Sequence, residues 1–364
     1  MRRRSLVGAA GAAGLGALAC ALGGGSTGAL AQASPGSSAP DDLILRRIAV
    51  GSCIDQTRPQ PLWDAVLDSR PDLFVFAGDN VYASQPPWSL ERLKHAYAQL
   101  AAQPGFARLR SSVPHLAIWD DHDYGLNDGG AEFVDKQASK QAFLDFWRVP
   151  AQDARRQREG LYAAASFGPP GSRVQVLLPD TRWFRSPLKP TPQRNAPGAE
   201  RYVPDADPSL TMLGEAQWRW LEERLREPAD LRLIVSSIQV LAEGHGFERW
   251  GNFPLQRQRL FDLIARTRAN GVVLLSGDRH IGALYRETRG TPYPLLEMTS
   301  SGMTHPWRQA AEAGPNRLGP LLGELHFGLV DVDWESRAVT LSLRDTAGAV
   351  QREVRVGLDE LKAP

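Results

Sequence analysis

The chain has 364 residues, 42% hydrophobic and 23% charged, and its 42 Lys and Arg against 41 Asp and Glu leave a formal net charge of +1. That length and composition describe a folded chain with room for a substantial core. The balance of charge lacks the basic excess by which nucleic acid or an anionic membrane surface is usually held.

The N-terminus has the layout of an export signal. Arg2, Arg3 and Arg4 precede Ser5-Leu6-Val7, an Ala/Gly/Leu run continues to about Leu22, and Ala29-Leu30-Ala31 offers a cleavage site. Paired arginines followed by Ser-Leu suit the twin-arginine route, which exports proteins already folded and would suit one that loads a metal before export. Residues 1–31 are expected to be removed in passing through the export machinery, and residues 32–42, rich in Ser, Pro and Ala, to form a flexible lead-in. The mature protein is then periplasmic or secreted, with no stable membrane span. Ala17-Leu18-Ala19-Cys20 resembles a lipoprotein box, but Leu18 sits badly for it. Of the two cysteines, Cys20 leaves with the signal, and Cys53 stays without a partner in an oxidising compartment. Cys53 is either a buried inert thiol or a metal ligand.

Beyond the lead-in, Leu43 to Gly51 is a β-rich run that breaks at Gly51-Ser52-Cys53, and a helix is expected around Pro61 to Ser69. Asp72 to Ala77 is an apolar run ending in Gly78-Asp79-Asn80; His115 to Trp119 ends in Asp120-Asp121-His122. Leu231 to Ser237 and Gly271 to Ser276 repeat the pattern, the second ending in Gly277-Asp278-Arg279-His280. Short apolar runs bounded by Gly and Asp fit strands buried on both faces. Helical spacing marks Leu90 to Leu100, Glu132 to Trp147, Gly214 to Leu225 and Pro254 to Thr267. The last part turns to antiparallel strands at Phe327 to Trp334, Val339 to Leu343 and Val350 to Val356, with Asp345 to Gly348 as a hairpin turn. Alternating strands and helices without a linker predict one α/β domain over residues 43–358.

Chemistry gathers where those strands end. Loops beyond the carboxyl ends of strands can present side chains from several strands to one place. A hydrolytic pair of cations, about 3.5–4 Å apart, needs a bridging carboxylate, further N, O or S donors and open positions for water and substrate. Asp79, on a tight turn after a buried strand, suits the bridge. Tyr82 could add a phenolate to a hard trivalent ion such as Fe(III), and Cys53 a thiolate. Asp278 and His280 can serve one cation each, Asp121 can supply oxygen to the second, and His122 can face the substrate. Against these stand plainer roles: a turn aspartate at 79, a core aromatic at 82, capping carboxylates at 120 and 123. His95, His115, His245, His305 and His326 lack partner spacing; His245, on a loop before Trp250, is the one that could cover the site. Glu297 and Ser300-Ser301-Gly302 are candidates for the cavity wall.

Gly78-Asp79-Asn80-Val81-Tyr82 resembles the GDNxY element of the purple acid phosphatases. The ordered set GSC at Gly51 to Cys53, WDDHDYGxND from Trp119 to Asp128, DTRWFR from Asp180 to Arg185, MLGEAQWRWL from Met212 to Leu221 and SGDRH from Ser276 to His280 resembles the alkaline phosphatase D (PhoD-like) family, from about residue 45 to 335. The resemblance implies a four-layer αββα metallophosphoesterase sandwich, two mixed sheets flanked by helices, and an alkaline-phosphatase-type phosphomonoesterase acting through a metal-activated water at a two- or three-metal site. Cys53 stands where most metallophosphoesterases carry a D-x-H pair; Asp121 takes an asparagine's ligand place and Asp278 a histidine's. No equivalent of the family-wide histidine appears near Ser236 to Gln239. The family can also carry a β-sandwich domain ahead of the catalytic one, which is not expected in the residues before 43.

Carboxylates in place of amide and imidazole favour hard cations. The expectation is Fe(III) on Cys53, Asp79, Tyr82 and His280, with Ca(II), or else Mg or Mn, on Asp79, Asp121 and Asp278. His122 would protonate the leaving oxygen, Arg182 or Arg185 would pair with phosphate oxygens, and Asn127 would contact metal or substrate. Competing expectations are a phosphodiesterase or phospholipid hydrolase on the same scaffold, and an exported binding protein without turnover. A serine hydrolase is disfavoured, because the G-x-S-x-G at Gly24 to Gly28 lies in the export signal.

Overall fold

A computed structural model describes residues 43–363, so the expected export signal, the lead-in and Cys20 lie outside the described residues. Two six-stranded sheets organise the chain. In the first, β1 (Arg47–Gly51), β2 (Leu73–Ala77) and β3 (His115–Ile118) run parallel. They are extended on the β1 side by the antiparallel strands β10 (Phe327–Asp333), β11 (Ala338–Arg344) and β12 (Val350–Gly357). In the second, β5 (Val174–Leu178), β6 (Leu231–Val235), β7 (Val272–Ser276) and β9 (Leu295–Ser300) run parallel. The antiparallel strands β4 (Ala163–Phe167) and β8 (Gly282–Glu287) close its edges.

The buried runs LFVFA, HLAI and VVLLS are apolar on both faces because each is covered twice, by the other sheet and by helices. Outside lie α1 (Leu62–Asp68), α2 (Leu90–Ala101), α3 (Pro104–Ser112), the short α4 (Asp121–Tyr124), α5 (Lys136–Phe146), α6 (Gly214–Leu225) and α7 (Pro254–Thr267). Trp63 of α1 and Phe106 of α3 meet Phe76 of β2 at ring-centroid distances of 6.3 and 5.7 Å, and α6 packs against α7. Among the described residues no helix is long and apolar enough to cross a membrane.

The layered α/β architecture matches the expectation, with differences at particular elements. The helix expected from Glu132 begins at Lys136, and α3, β4, β8 and β9 were not anticipated. For the site, the decisive feature is polarity. β1, β2, β3, β5, β6 and β7 all end at the same edge of the two sheets, so the loops that follow them face one another. The sheets are joined there by reciprocal bonds: Ser52 Oγ donates to Ser300 O at 3.0 Å, and Ser300 Oγ donates to Val50 O at 3.1 Å.

Candidate metal centre

The side chains that gather at this edge are aimed by unusual backbone. Cys53, Asp79, Asp278 and His280 all have positive φ, at 61°, 49°, 69° and 55°. Left-handed backbone at a residue with a Cβ costs about 1–2 kcal/mol and is held only where the surroundings dictate it. Here they do. Gly78 has φ 107°, and a Cβ on it would stand 2.6 Å from Asp120 Cβ; a Cβ on Gly277 would stand 2.5 Å from Ser52 Oγ. Each turn is pressed against the end of a neighbouring strand, and the side chain beside the glycine is thrown into the space between the sheets.

The groups so delivered fall into overlapping clusters whose ligand atoms lie within 4.8 Å of one another: Cys53, Asp79 and His280; Asp79, Asp121 and His122; Asp120, Asp121 and Asp278; and Asp128, Glu248 and Asp278. Asp79 and Asp121 each belong to two clusters, as does Asp278, so the four form one continuous seam. Tyr82 Oη lies 3.3 Å from Asp79 Oδ2 and 3.0 Å from His280 Nε2. Cys53 Sγ lies 3.5 Å from Asp79 Oδ2 and 2.9 Å from Ser301 Oγ. The six residues expected as ligands thus share one site. Asp79, Asp121 and Asp278 do not form a single cluster among themselves; Asp121 stands between the other two.

The electrostatics are those of crowded buried acids. Burial, then the Asp121 and Cys53 charges, raises the Asp79 carboxyl well above the usual range; burial, then Asp120 and Glu248, does the same to Asp278. Burial lifts the Asp123 carboxyl to about 8 and, against the opposing Arg182 charge, the Asp120 carboxyl to about 7. Asp121 is held low despite its burial, by the His122 and Arg182 charges and the Asp128 N–H. Burial pushes the Cys53 thiol up to about 11 and the His280 imidazole down to about 3. Asp79 and Asp278 have no Lys or Arg within ion-pairing distance among the described residues. Among the described residues Asp121 has only His122 Nε2 at 4.0 Å, and its buried Oδ1 has no hydrogen-bond partner. Three carboxylates, a thiol, a phenol and an imidazole around shared space, short of positive charge, are a donor set that fits hard cations.

His122 lines a cavity of about 570 Å³ together with Asp121, Asn127, Glu248, Asp278 and His280. Its Nδ1 is 2.6 Å from Ser84 Oγ, and its ring lies on Tyr82 with centroids 4.1 Å apart. Asp123 accepts from Asp120 N at 2.7 Å and from Asn80 Nδ2 at 2.6 Å, locking the start of α4 to the end of β2. Arg182 and Arg185 require correction. Both are fully buried and neither lines the cavity. Arg182 Nε donates to Asp120 at 2.6 Å and Nη1 to Glu248 at 2.7 Å; Arg185 Nε pairs with Glu248 at 3.0 Å and Nη1 donates to Ser186 O. They are pillars between loops, because each guanidinium finds internal acceptors before it can reach solvent. His245 is buried with Nε2 3.0 Å from Gln239 Oε1 and covers nothing, and Glu297 accepts from Val240 N and Leu241 N beneath the sheet.

Sequence reasoning missed Glu248, Asp128, His305 and the cavity's arginines. His305 packs edge-on to His280 at 4.2 Å and to Tyr82 at 4.8 Å. Glu248 lies in a loop without any strand-end signature. Asp128 and Arg279, by contrast, sit inside two of the motifs already singled out.

A family model described as PhoD-like phosphatase matches residues 48–313. Alkaline phosphatase D of Bacillus subtilis (strain 168) is 23% identical over 240 residues, covering 60% of this chain and 40% of that protein, so the chain spans less than half of that curated relative. A solved structure of PhoD superposes with a TM-score of 0.70 at 17% identity, over 89% of this chain and 72% of its own. A purple acid phosphatase from yellow lupin (Lupinus luteus) seeds does so with a TM-score of 0.58 at 13% identity, over 89% and 55%. At such identities the likeness speaks for the fold, and the fold is the expected sandwich of two mixed sheets flanked by helices.

Two outcomes follow from the charges. Arg182→Gln strands Asp120 without its cation and leaves Glu248 only Arg185, and is expected to lower unfolding stability in urea by about 3–5 kcal/mol; a substrate contact would instead raise KM and leave the midpoint in place. In protein stripped of metal by chelation, acids whose folded-state pKa values are raised contribute stability that is complete below about pH 4 and is lost as pH rises through the folded values. The thermal midpoint of stripped protein should therefore fall between about pH 5 and 9 and recover on adding a divalent cation. A midpoint indifferent to pH and to added cation would contradict the electrostatic account.

Proposed function

The chain belongs to the PhoD-like phosphatase family, and from that premise we propose that it is an exported phosphoric ester hydrolase of the alkaline phosphatase type, a single catalytic domain over residues 43–358 acting on small phosphomonoesters. The observation that carries this reading is the seam from Cys53 through Asp79 and Asp121 to Asp278, whose carboxylates have too few positive neighbours among the protein's own groups. We assign Fe(III) to Cys53, Asp79, Tyr82 and His280, and Ca(II), or another hard divalent ion, to Asp79, Asp121 and Asp278. Bound there, such cations would lower the pKa of a water and draw charge from the phosphoryl group.

The protein's own part is orientation and proton handling. Asp79 Oδ1 accepts from His122 N at 3.2 Å, which fixes the backbone that carries the histidine. In the imidazolium form Nδ1 donates to Ser84 Oγ, and Nε2 can give its proton to the leaving ester oxygen as the bond to phosphorus breaks, leaving a neutral ring. Asn127 on the same wall can donate to a non-bridging oxygen. A monoester is favoured over a diester because Arg194, Arg201 and Arg279 line the same cavity, and a monoester dianion brings more charge to them. The paired arginines and Ala29-Leu30-Ala31 of the N-terminus support export by the twin-arginine route.

Asp79→Asn is expected to lower phosphatase activity by about 10³-fold or more and to remove bound metal, with the fold retained by circular dichroism. Elemental analysis of natively exported protein should find about one iron per chain and a visible charge-transfer band; zinc alone would overturn the metal assignment. The p-nitrophenyl phosphate rate should exceed that on bis-p-nitrophenyl phosphate; the reverse order would move the substrate class to diesters and phospholipids.

A further inference from the structure

With Arg182 and Arg185 committed to internal acceptors, the cavity needs another group to meet an ester's non-bridging oxygens. Among the described residues three guanidinium groups line it, and they differ in how they are held. Arg194 is exposed at the rim. Arg201 donates from Nη1 to Asp128 Oδ2 at 2.8 Å, with its side chain 41% exposed. Arg279 is only 7% exposed, yet its guanidinium makes no hydrogen bond among the described residues, and its buried Nε is unpartnered.

Such a group is costly to leave unmatched, because burying a charge without hydrogen bonds forfeits its hydration. The surroundings fix it in place all the same. The turn that delivers Asp278 and His280 also roots Arg279, with Arg279 N donating to Gly277 O at 2.9 Å. Its guanidinium carbon lies 4.0 Å from the Phe247 ring centroid and 5.7 Å from that of Trp307, within cation–π range of both. Trp307 is joined to the turn by its N–H, which donates to His280 O at 2.6 Å. From behind, Glu312 Oε1 stands 3.6 Å from Arg279 Nη2, close enough to attract but beyond a hydrogen bond, and its own buried carboxylate oxygens find no donor. Charge and stacking aim the guanidinium and leave its donors unspent.

We propose that Arg279 is the arginine that binds the substrate's phosphoryl group, taking two non-bridging oxygens of the ester to be cleaved, with Glu312 as the positioning residue that orients it. This rests on the hydrolase reading above and adds the substrate contact to it. A planar fork matches two phosphate oxygens where an ammonium cannot, so charge alone does not suffice at this position.

The test is calorimetric titration of inorganic phosphate into metal-replete protein, alongside steady-state kinetics on p-nitrophenyl phosphate. Arg279→Gln should weaken phosphate binding about 10- to 100-fold at unchanged metal content and raise KM for every ester tested. Arg279→Lys should recover only part of the loss, and Glu312→Gln should fall between wild type and Arg279→Gln. If Arg279→Gln fails to fold because Glu312 is stranded, the double variant with Glu312→Gln removes both partners and serves instead. Phosphate binding unchanged in a folded, metal-replete variant overturns the proposal. So does a KM effect confined to esters with a second acidic group, which would place Arg279 on the leaving group. Wild-type protein that hydrolyses no ester would sink the hydrolase reading instead, while the phosphate titration still decides the role of Arg279.

Discussion

The site is governed by the repulsion among acids that the fold drives together. Asp79, Asp120, Asp121 and Asp278 are buried at the common edge of two sheets, and the nearest guanidinium, on Arg182, is already divided between Asp120 and Glu248. Its neighbour Arg185 is likewise taken by Glu248. Desolvation makes each further negative charge expensive, and pairing repays it only with well-placed partners. The protein settles part of this internally and leaves Asp79, Asp121 and Asp278 short of positive charge. Cations bound to those groups would then be elements of the fold as much as of the chemistry, because folding and loading draw on the same carboxylates.

The same edge holds the strain. Cys53, Asp79, Asp278 and His280 all adopt left-handed backbone, which isolated residues of these types avoid. Several such residues at one edge would be an unstable arrangement without the contacts that impose it: Gly78 pressed on Asp120, Gly277 on Ser52, and the paired Ser52 and Ser300 bonds that clamp the sheets where the turns emerge. The core supplies the stability that holds these turns. The aromatic cluster of Trp63, Phe74, Phe76, Phe106 and Trp147 sits directly behind β2, with Phe74 and Phe76 centroids 4.5 Å apart. Packing at the back of a strand thus determines where a carboxylate points at its end.

What was legible in the sequence follows from this arrangement. Apolar runs ending in Gly-Asp or Asp-Asp-His announce buried strands and the turns beyond them, so Asp79, Asp121, Asp278 and His280 could be found, and Cys53 by its isolation. The missed strands lack that signature. β4 reads AAASF and β9 reads LLEMTS, the one rich in Ala, which favours helix, and the other interrupted by Glu297, whose carboxylate is satisfied by backbone N–H groups of a distant loop. Glu248 was invisible for a related reason: its partners lie 66 and 63 residues away, on Arg182 and Arg185, and neither spacing has a period to follow. Residue type pointed to Arg182 and Arg185, but type cannot tell a guanidinium that bridges two carboxylates from one with donors to spare.

That distinction bears on how a phosphate ester could enter at all. Asp121, Glu248 and Asp278 give the cavity a negative floor, while Arg194, Arg201 and Arg279 give it a positive wall. A phosphate dianion is repelled by the floor and attracted by the wall, and at separations of a few ångströms in a partly desolvated space neither effect is small. Cations at the floor would reverse its sign and turn an opposed pair of surfaces into a concerted one. On the reading proposed above, binding of an ester would depend on loading of the metals before it, even where no metal oxygen contact is formed, and the aromatic packing of Arg279 on Phe247 would keep the wall in position meanwhile. On that reading the fold sets fixed positive charge beside Asp120 and Glu248 and leaves Asp79 and Asp278 without it, where a cation would bind.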